Sequence, residues 1–274
     1  MLRSGILRAG AMTAILLLMF AWAVGGMAAS TDAVWPAADG ADIRADGRLE
    51  VDASNISLGY VMVRAAEPSK RALKIRVAFG KTQLTYDLNN QGEYEAFPLQ
   101  LGSGKYEISL YENVKGSKFS AEGKVKLDAK LVDENAAYTV PNQYVNYELF
   151  TSAVQKSDEL CKGAGPEECY RIITDFISSE FAYDFVRAKT ISSGALPDID
   201  YCYENRMGIC QDLSAVMCCM LRVQHVPCKL VIGYADKYYH AWTSSVLNGK
   251  DQFFDPTAAI GALKAKKYKI ERMY

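Results

Sequence analysis

The pattern of hydrophobic and polar positions changes period about halfway along the chain. Between residues 58 and 131, apolar residues come in short runs that alternate with polar ones, as half-buried strands do. Leu73, Ile75, Val77 and Phe79 fall on one face of a run at 73–79. Gly80-Lys81 turns the chain, and 82–88 continues as the partner. Further runs at 60–63, 97–101, 106–112 and 124–131 complete the set, with a turn signal at Asn89-Asn90-Gln91-Gly92. This spacing predicts a small antiparallel all-β sandwich, immunoglobulin-like in plan. The stretch contains no His and no Cys, so support, spacing or binding is expected of it.

From residue 134 the pattern differs. Residues 134–147, with Pro141-Asn142, read as a connector. Helices follow at 149–160 and 167–179, the second with Tyr170, Ile173 and Ile177 at helical spacing. Ser192-Ser193-Gly194 and Leu196-Pro197-Asp198 mark a loop. After Cys210, apolar residues stand at Leu213, Val216, Met217, Met220 and Leu221, one face of a helix. Gly208 allows a sharp entry, and His225-Val226-Pro227 forms the exit near 223–224. Residues 228–234 are a strand in which Gly233 suits a bulge or close approach. A turn at 235–239 leads to a strand at 240–247, the hairpin turn Asn248-Gly249, and a returning strand at 251–255. The lysines at 264, 266, 267 and 269 suit a solvated edge strand. The class is α+β: residues 135–274 form a helix-on-antiparallel-sheet domain, preceded by a β-sandwich at 30–134.

The first 29 residues read as an export signal. Arg3 and Arg8 precede an apolar run at 11–24, and Gly26, Ala28 and Ala29 follow as small residues. The run is shorter than the ~20 residues that span a bilayer, so no stable membrane anchor is expected after cleavage, and a secreted or cell-envelope location is. The 274-residue chain has 31 basic and 32 acidic residues, a formal net charge of −1. With no basic excess, a nucleic-acid partner is not expected.

All seven Cys lie in the second half: 161, 169, 202, 210, 218, 219 and 228. An odd count leaves at least one thiol over. Cys161 and Cys169 flank a turn-like Lys162-Gly163-Ala164-Gly165-Pro166 and could pair. Cys218 continues a helix interior and reads as core; Cys202 and Cys228 stand open between core and disulfide. The spacings lack the C-x2-C knuckles of a zinc site, and neither metal nor organic cofactor is expected. Cys210 is different, because it opens a helix, where the partial positive charge favours a thiolate. A general base must come from His225 or His240. His225 sits in the helix exit and reads as an exposed turn residue. His240 starts a strand of the hairpin whose other strand ends at Asp255. With Asn248-Gly249 central, hairpin partners sum to roughly 497, so Asp255 lies opposite Trp242 or Thr243. A bulge or strand twist is needed to bring it to His240.

Four blocks in order, Gly208-Ile209-Cys210-Gln211-Asp212, Val231-Ile232-Gly233-Tyr234, His240-Ala241-Trp242 and Asp255-Pro256-Thr257, resemble the transglutaminase-like superfamily. The resemblance covers about residues 144–260. It implies a papain-like core with Cys210 as nucleophile, His240 as general base and Asp255 as orienter of the imidazole. It also implies a protein or peptide substrate, the cell envelope being one source. The thiolate would attack a carboxamide or peptide carbonyl and leave a thioester. An amine then gives crosslinking, and water gives deamidation or hydrolysis. A cysteine protease or amidase of the same fold, and a non-catalytic envelope-binding scaffold, are the alternative readings. The Cys210 N–H is one oxyanion donor, with Tyr183 or Gln211 as candidates for a second. Gln211 and Trp242 are also candidates to contact substrate. Trp242 could line the substrate groove, yet a strand Trp is more often a core residue, and Tyr238-Tyr239 suit a groove rim or a solvated turn.

Overall fold

The alternating half forms two four-stranded antiparallel sheets in a computed structural model that describes residues 33–274. The expected export signal at 1–29 lies outside the described residues. One sheet has β1 (Ile43–Asp46), β2 (Leu49–Asp52), β3 (Tyr60–Ala65) and β6 (Glu95–Pro98), in the order β1-β2-β3-β6. The other has β4 (Leu73–Phe79), β5 (Thr82–Leu88), β7 (Gly104–Lys115) and β8 (Lys118–Ala129), in the order β5-β4-β7-β8. Their inner faces share one core, in which Val51, Val61 and Val63 meet Ile75, Val77, Ile108 and Leu110.

The β1–β2 hairpin was not legible in the sequence. Every residue of β1 is exposed, so it carries no apolar alternation to read. The β7–β8 hairpin is longer than the runs at 106–112 and 124–131, because its polar far end projects beyond the core. The strand expected at 97–101 ends at Pro98, and residues 99–102 form a corner under Tyr106. The Tyr106 hydroxyl lies 2.8 Å from the Gly102 carbonyl and accepts from the Leu101 N–H at 3.0 Å.

The second half begins with α1 (Ser152–Leu160) and α2 (Pro166–Glu180). A short parallel pair, β9 (Ala182–Tyr183) and β10 (Met207–Gly208), encloses α3 (Arg187–Thr190) and α4 (Ile199–Asn205). Then come α5 (Cys210–Arg222), β11 (Cys228–Ala235), β12 (Tyr238–Leu247), β13 (Lys250–Phe254), α6 (Pro256–Ala259) and β14 (Tyr268–Met273). The last sheet runs β13-β12-β11-β14. The lysine-rich stretch leads into its edge strand β14, although only Lys269 of the four lysines stands in it.

The spacing after Cys210 predicts one buried face, yet α5 is buried all round from Asp212 to Arg222. It packs against α1, α2 and α4 as well as β11 and β12. Arg222, fully buried, closes this centre by donating to the carbonyls of Cys228, Val140 and Tyr274. The two halves meet through polar and aromatic groups. Gln100 of the β half donates to the Met273 carbonyl and accepts from Tyr86, while Tyr144 stacks on Tyr274 at 3.6 Å. One continuous apolar core runs from the sandwich into the helices, and the architecture is α+β. No helix among the described residues is long and apolar enough to cross a membrane.

Candidate active site

The chain reaches Cys210 through a tight passage. Gly208 has an ordinary φ, so the glycine is required by closeness and not by a left-handed turn. A Cβ there would stand 2.6 Å from the Cys202 sulfur and 2.9 Å from the Asp212 Cβ. Ile209 is extended, and Cys210 is the first residue of α5, half-buried. Its N–H therefore has no intrahelical acceptor.

Asp212, fully buried, fixes this helix start. It accepts from the Ile209 N–H at 3.1 Å and from the Asp198 N–H at 3.0 Å. It also takes Arg187 at 2.8 Å through Nε. Asp184 accepts from the N–H groups of Val186 and Arg187 and from the Tyr201 hydroxyl, and these bonds, the Arg187 N–H first, hold its carboxyl below the usual range. The segment 184–198 is thus tied to the base of Cys210. An acidic residue in the first helical turn was the available signal for Asp212; nothing in the sequence marked Arg187.

His240 is buried on β12, with Nε2 2.9 Å from Asp255 Oδ2. Asp255 occupies Nε2, so Nδ1 is the ring nitrogen left for the Cys210 thiol. The hairpin register is as counted: Thr243 faces Phe254 and Ser244 faces Phe253, so Asp255 follows opposite Trp242. No bulge closes the remaining gap, since the β12–β13 register is unbroken. Residues two apart on a strand are ~7 Å apart on one face, and the two side chains span that distance. Asp255 leaves the strand as the N-cap of α6. Oδ1 accepts from the N–H groups of Thr257 and Ala258 at 2.9 and 3.1 Å, and Oδ2 is left for His240. The helix-capping and imidazole-orienting roles of Asp255 are therefore compatible, one oxygen each.

A third group, Tyr268 on β14, donates its hydroxyl to the same Oδ2 at 2.7 Å. Sequence reasoning missed it, because the contact is made across the sheet edge and a tyrosine after lysines carries no signal. Burial opposes charge on Asp255, but His240, then Tyr268 and the Ala258 N–H, hold its carboxyl below the usual range. Burial likewise works against a charged His240. Hydrogen bonds and charge from Asp255 and Cys210 outweigh it, and the ring is raised to about 9.

Trp242 does not line a groove. It is only 2% exposed, stacks with the His240 ring at 6.2 Å and meets Tyr268 edge-on at 5.1 Å. It shares the face of His240 and covers the His–Asp pair, which is why burial wins over substrate contact. Gln211 donates its amide to the Ala195 carbonyl at 3.0 Å and acts as a tether for the 192–198 loop. Tyr183 stands beside Cys210: burial first, then the charge of Cys210, push its hydroxyl up to about 12. An open pocket of about 500 Å³, lined by Tyr183, Phe185, Val186, Arg187, Tyr201 and Met207, adjoins it. Tyr238 and Tyr239 are exposed, and His225 is an exposed turn residue with φ of 58°. Cys161 and Cys169 are both buried free thiols, and the Cys169 thiol donates to the Ala164 carbonyl at 3.7 Å. Among the described residues, no group of three or more His, Cys, Asp or Glu could hold a metal ion.

A thiol at a helix start, an imidazole on a facing sheet and a carboxylate behind it can move a proton between sulfur and ring while the carboxylate fixes the ring. The scaffold that carries them is a papain-like, transglutaminase-like α+β core. Residues 155–256 match the family model of the transglutaminase-like superfamily, so the chain carries a domain of that superfamily. Among solved structures, a proposed cysteine protease from Cytophaga hutchinsonii superposes with a TM-score of 0.40 and 15% identity, over 78% of this chain and 91% of its own. The periplasmic domain of TgpA from Pseudomonas aeruginosa gives 0.35 and 12%, over 70% and 91%. Red sea bream transglutaminase gives 0.29 and 12%, over 72% and 48%. Likenesses this distant carry none of the functional argument. No curated protein matches the chain in sequence.

Proposed function

We propose that Cys210, His240 and Asp255 form the catalytic triad of an exported thiol enzyme that transfers acyl groups from protein or peptide carboxamides. The observation that carries this reading is the His240–Asp255 bond at 2.9 Å, with the ring raised, against its burial, to about 9 by Asp255 and Cys210. In the reactive pair Cys210 has passed its proton to His240. The sulfur attacks the carboxamide carbon, and the oxyanion is met by the Cys210 N–H, with Tyr183 a candidate for a second donor because the Gln211 amide is engaged by the Ala195 carbonyl. The C–N bond breaks, and His240 gives its proton to the departing ammonia or amine. On the thioester, an amine or water attacks, His240 takes its proton, and the Cys210 thiolate leaves. Crosslinking, deamidation and peptide hydrolysis share this intermediate and differ in the group that enters or leaves.

In this reading residues 1–29 are the export signal, 30–134 an immunoglobulin-like accessory module and 135–274 the catalytic domain. The strand order of the two sheets and the hydroxyl-to-backbone corner at Tyr106 support the middle assignment.

The test is the pH dependence of iodoacetamide alkylation at each cysteine, mapped by mass spectrometry, in the native protein and in His240→Ala. A free thiol labels little below its reference pKa of ~8.5. Cys210 is expected to label well below that pH, ahead of the other six, and to lose this advantage in His240→Ala. A Cys210 no faster than Cys228 would put the scaffold reading first. With the thiol established, glutamine peptides offered with and without a lysine analogue separate transfer from hydrolysis.

A further inference from the structure

Six of the seven cysteines are buried, and one pair of them lies across the packing that sets the site. Cys218 stands eight residues after Cys210, ~12 Å along α5, on the side that meets the sheet. Cys228 is the first residue of β11. Their sulfurs are 3.3 Å apart, and both residues are fully buried. Cys228 faces Ser245 of β12 in the register, and the Ser245 hydroxyl donates to its sulfur at 3.3 Å. Both are thiols in this structure. A disulfide needs an S–S distance of ~2.05 Å, so the sulfurs have about 1.3 Å left to close. Sequence spacing pointed the other way for Cys218, which reads as core when the helix is taken alone. Only the packing of α5 on β11 sets it against a partner.

We propose that Cys218 and Cys228 form a disulfide that fastens the helix bearing Cys210 to the sheet bearing His240. The bond forms during folding, before burial closes the site, by exchange with a disulfide oxidant of the compartment. The two thiols give up two protons and two electrons, and the oxidant's disulfide is reduced to two thiols. The cross-link spans one helix end and the adjoining turn at Val226-Pro227, and it joins the elements on which the Cys210–His240 contact depends. In the cell this rests on export to an oxidising compartment; the experiment supplies the oxidant itself, so a failure of the export reading does not affect it.

The full chain is reduced, refolded in reduced and oxidised glutathione, then unfolded in guanidinium with iodoacetamide and digested with trypsin without reductant. Cleavage after Arg206, Arg222 and Lys229 places Cys218 and Cys228 in separate peptides, 207–222 and 223–229. They are expected as one joined species, lighter by two hydrogens than the free pair and separated by reduction. In Cys210→Ala/Cys219→Ala, Cys218 is the only thiol of the first peptide, and the joined species is expected to persist. Folding of both proteins is checked by circular dichroism. Fully alkylated Cys228 in the folded wild type, or loss of the joined species in the folded double variant, overturns the proposal. Neither outcome bears on Cys210 as nucleophile, which the alkylation profile reads separately.

Discussion

Asp255→Asn separates the two duties of one carboxylate. Asparagine caps a helix as well as aspartate, so its carbonyl keeps the bonds from Thr257 and Ala258. Its amide nitrogen replaces Oδ2, which takes His240 at 2.9 Å and Tyr268 at 2.7 Å, and an NH2 group can accept from neither. In the wild type the ring is raised from 6.5 to about 9, a preference for the imidazolium of about 3 kcal/mol at 1.36 kcal/mol per unit. Burial opposes that charge, and the Asp255 hydrogen bond is the first force against it. Without it only Cys210 is left to oppose burial, so His240 is expected to titrate well below about 9, and Cys210 alkylation near neutral pH to slow at least ~100-fold. The sign for stability follows from a raised pKa. The contribution of His240 is whole below 6.5, fades as pH rises, and is lost above about 9. The variant should lack that fall in its urea unfolding free energies. With only His225 and His240 in the chain, NMR of the imidazole carbons reads the midpoint directly, and His225→Gln assigns it. A His240 midpoint still near 9 in Asp255→Asn would refute the reasoning.

Three further outcomes are expected. Tyr268→Phe keeps the ring against Trp242 and Phe253 but removes a donor to a buried carboxylate, costing about 1–2 kcal/mol at neutral pH. Because the Asp255 pKa is depressed, that cost should shrink as acid protonates Asp255, and urea melts that match wild type at neutral pH would count against the bond. Arg187→Met leaves the fully buried Asp212 without its cation, a loss of about 3 kcal/mol, with faster hydrogen exchange across 184–198; unchanged exchange would show that the pair does not hold that segment. Gly233→Ala would set a Cβ 2.0 Å from the Lys269 carbonyl oxygen, pushing β14 off β11 at a cost of about 2 kcal/mol or more; a wild-type thermal midpoint would contradict that closeness.

The sequence by itself determined the elements whose signals are local. Alternation at 73–79 set a strand, the apolar positions after Cys210 set a helix, and Asn248-Gly249 set a two-residue hairpin whose count placed Asp255 opposite Trp242. The four ordered blocks pointed to Cys210, His240 and Asp255; the structure bonds His240 to Asp255 and sets Cys210 where it acts on the same ring. What depends on separate elements meeting was decided by the tertiary structure. Trp242 is a cover and not a groove wall, because both β14 and the His240 ring lie against it. The gap from Asp255 to His240 is closed by side-chain reach from a helix cap, a geometry that strand counting cannot supply. Tyr268, Arg187 and the Cys218–Cys228 contact each join residues at least ten positions apart on different elements. Such contacts leave no period in the sequence, since a side chain's partner across a packed interface is set by how whole elements pack, and periodicity reports only which face of one element is turned inward.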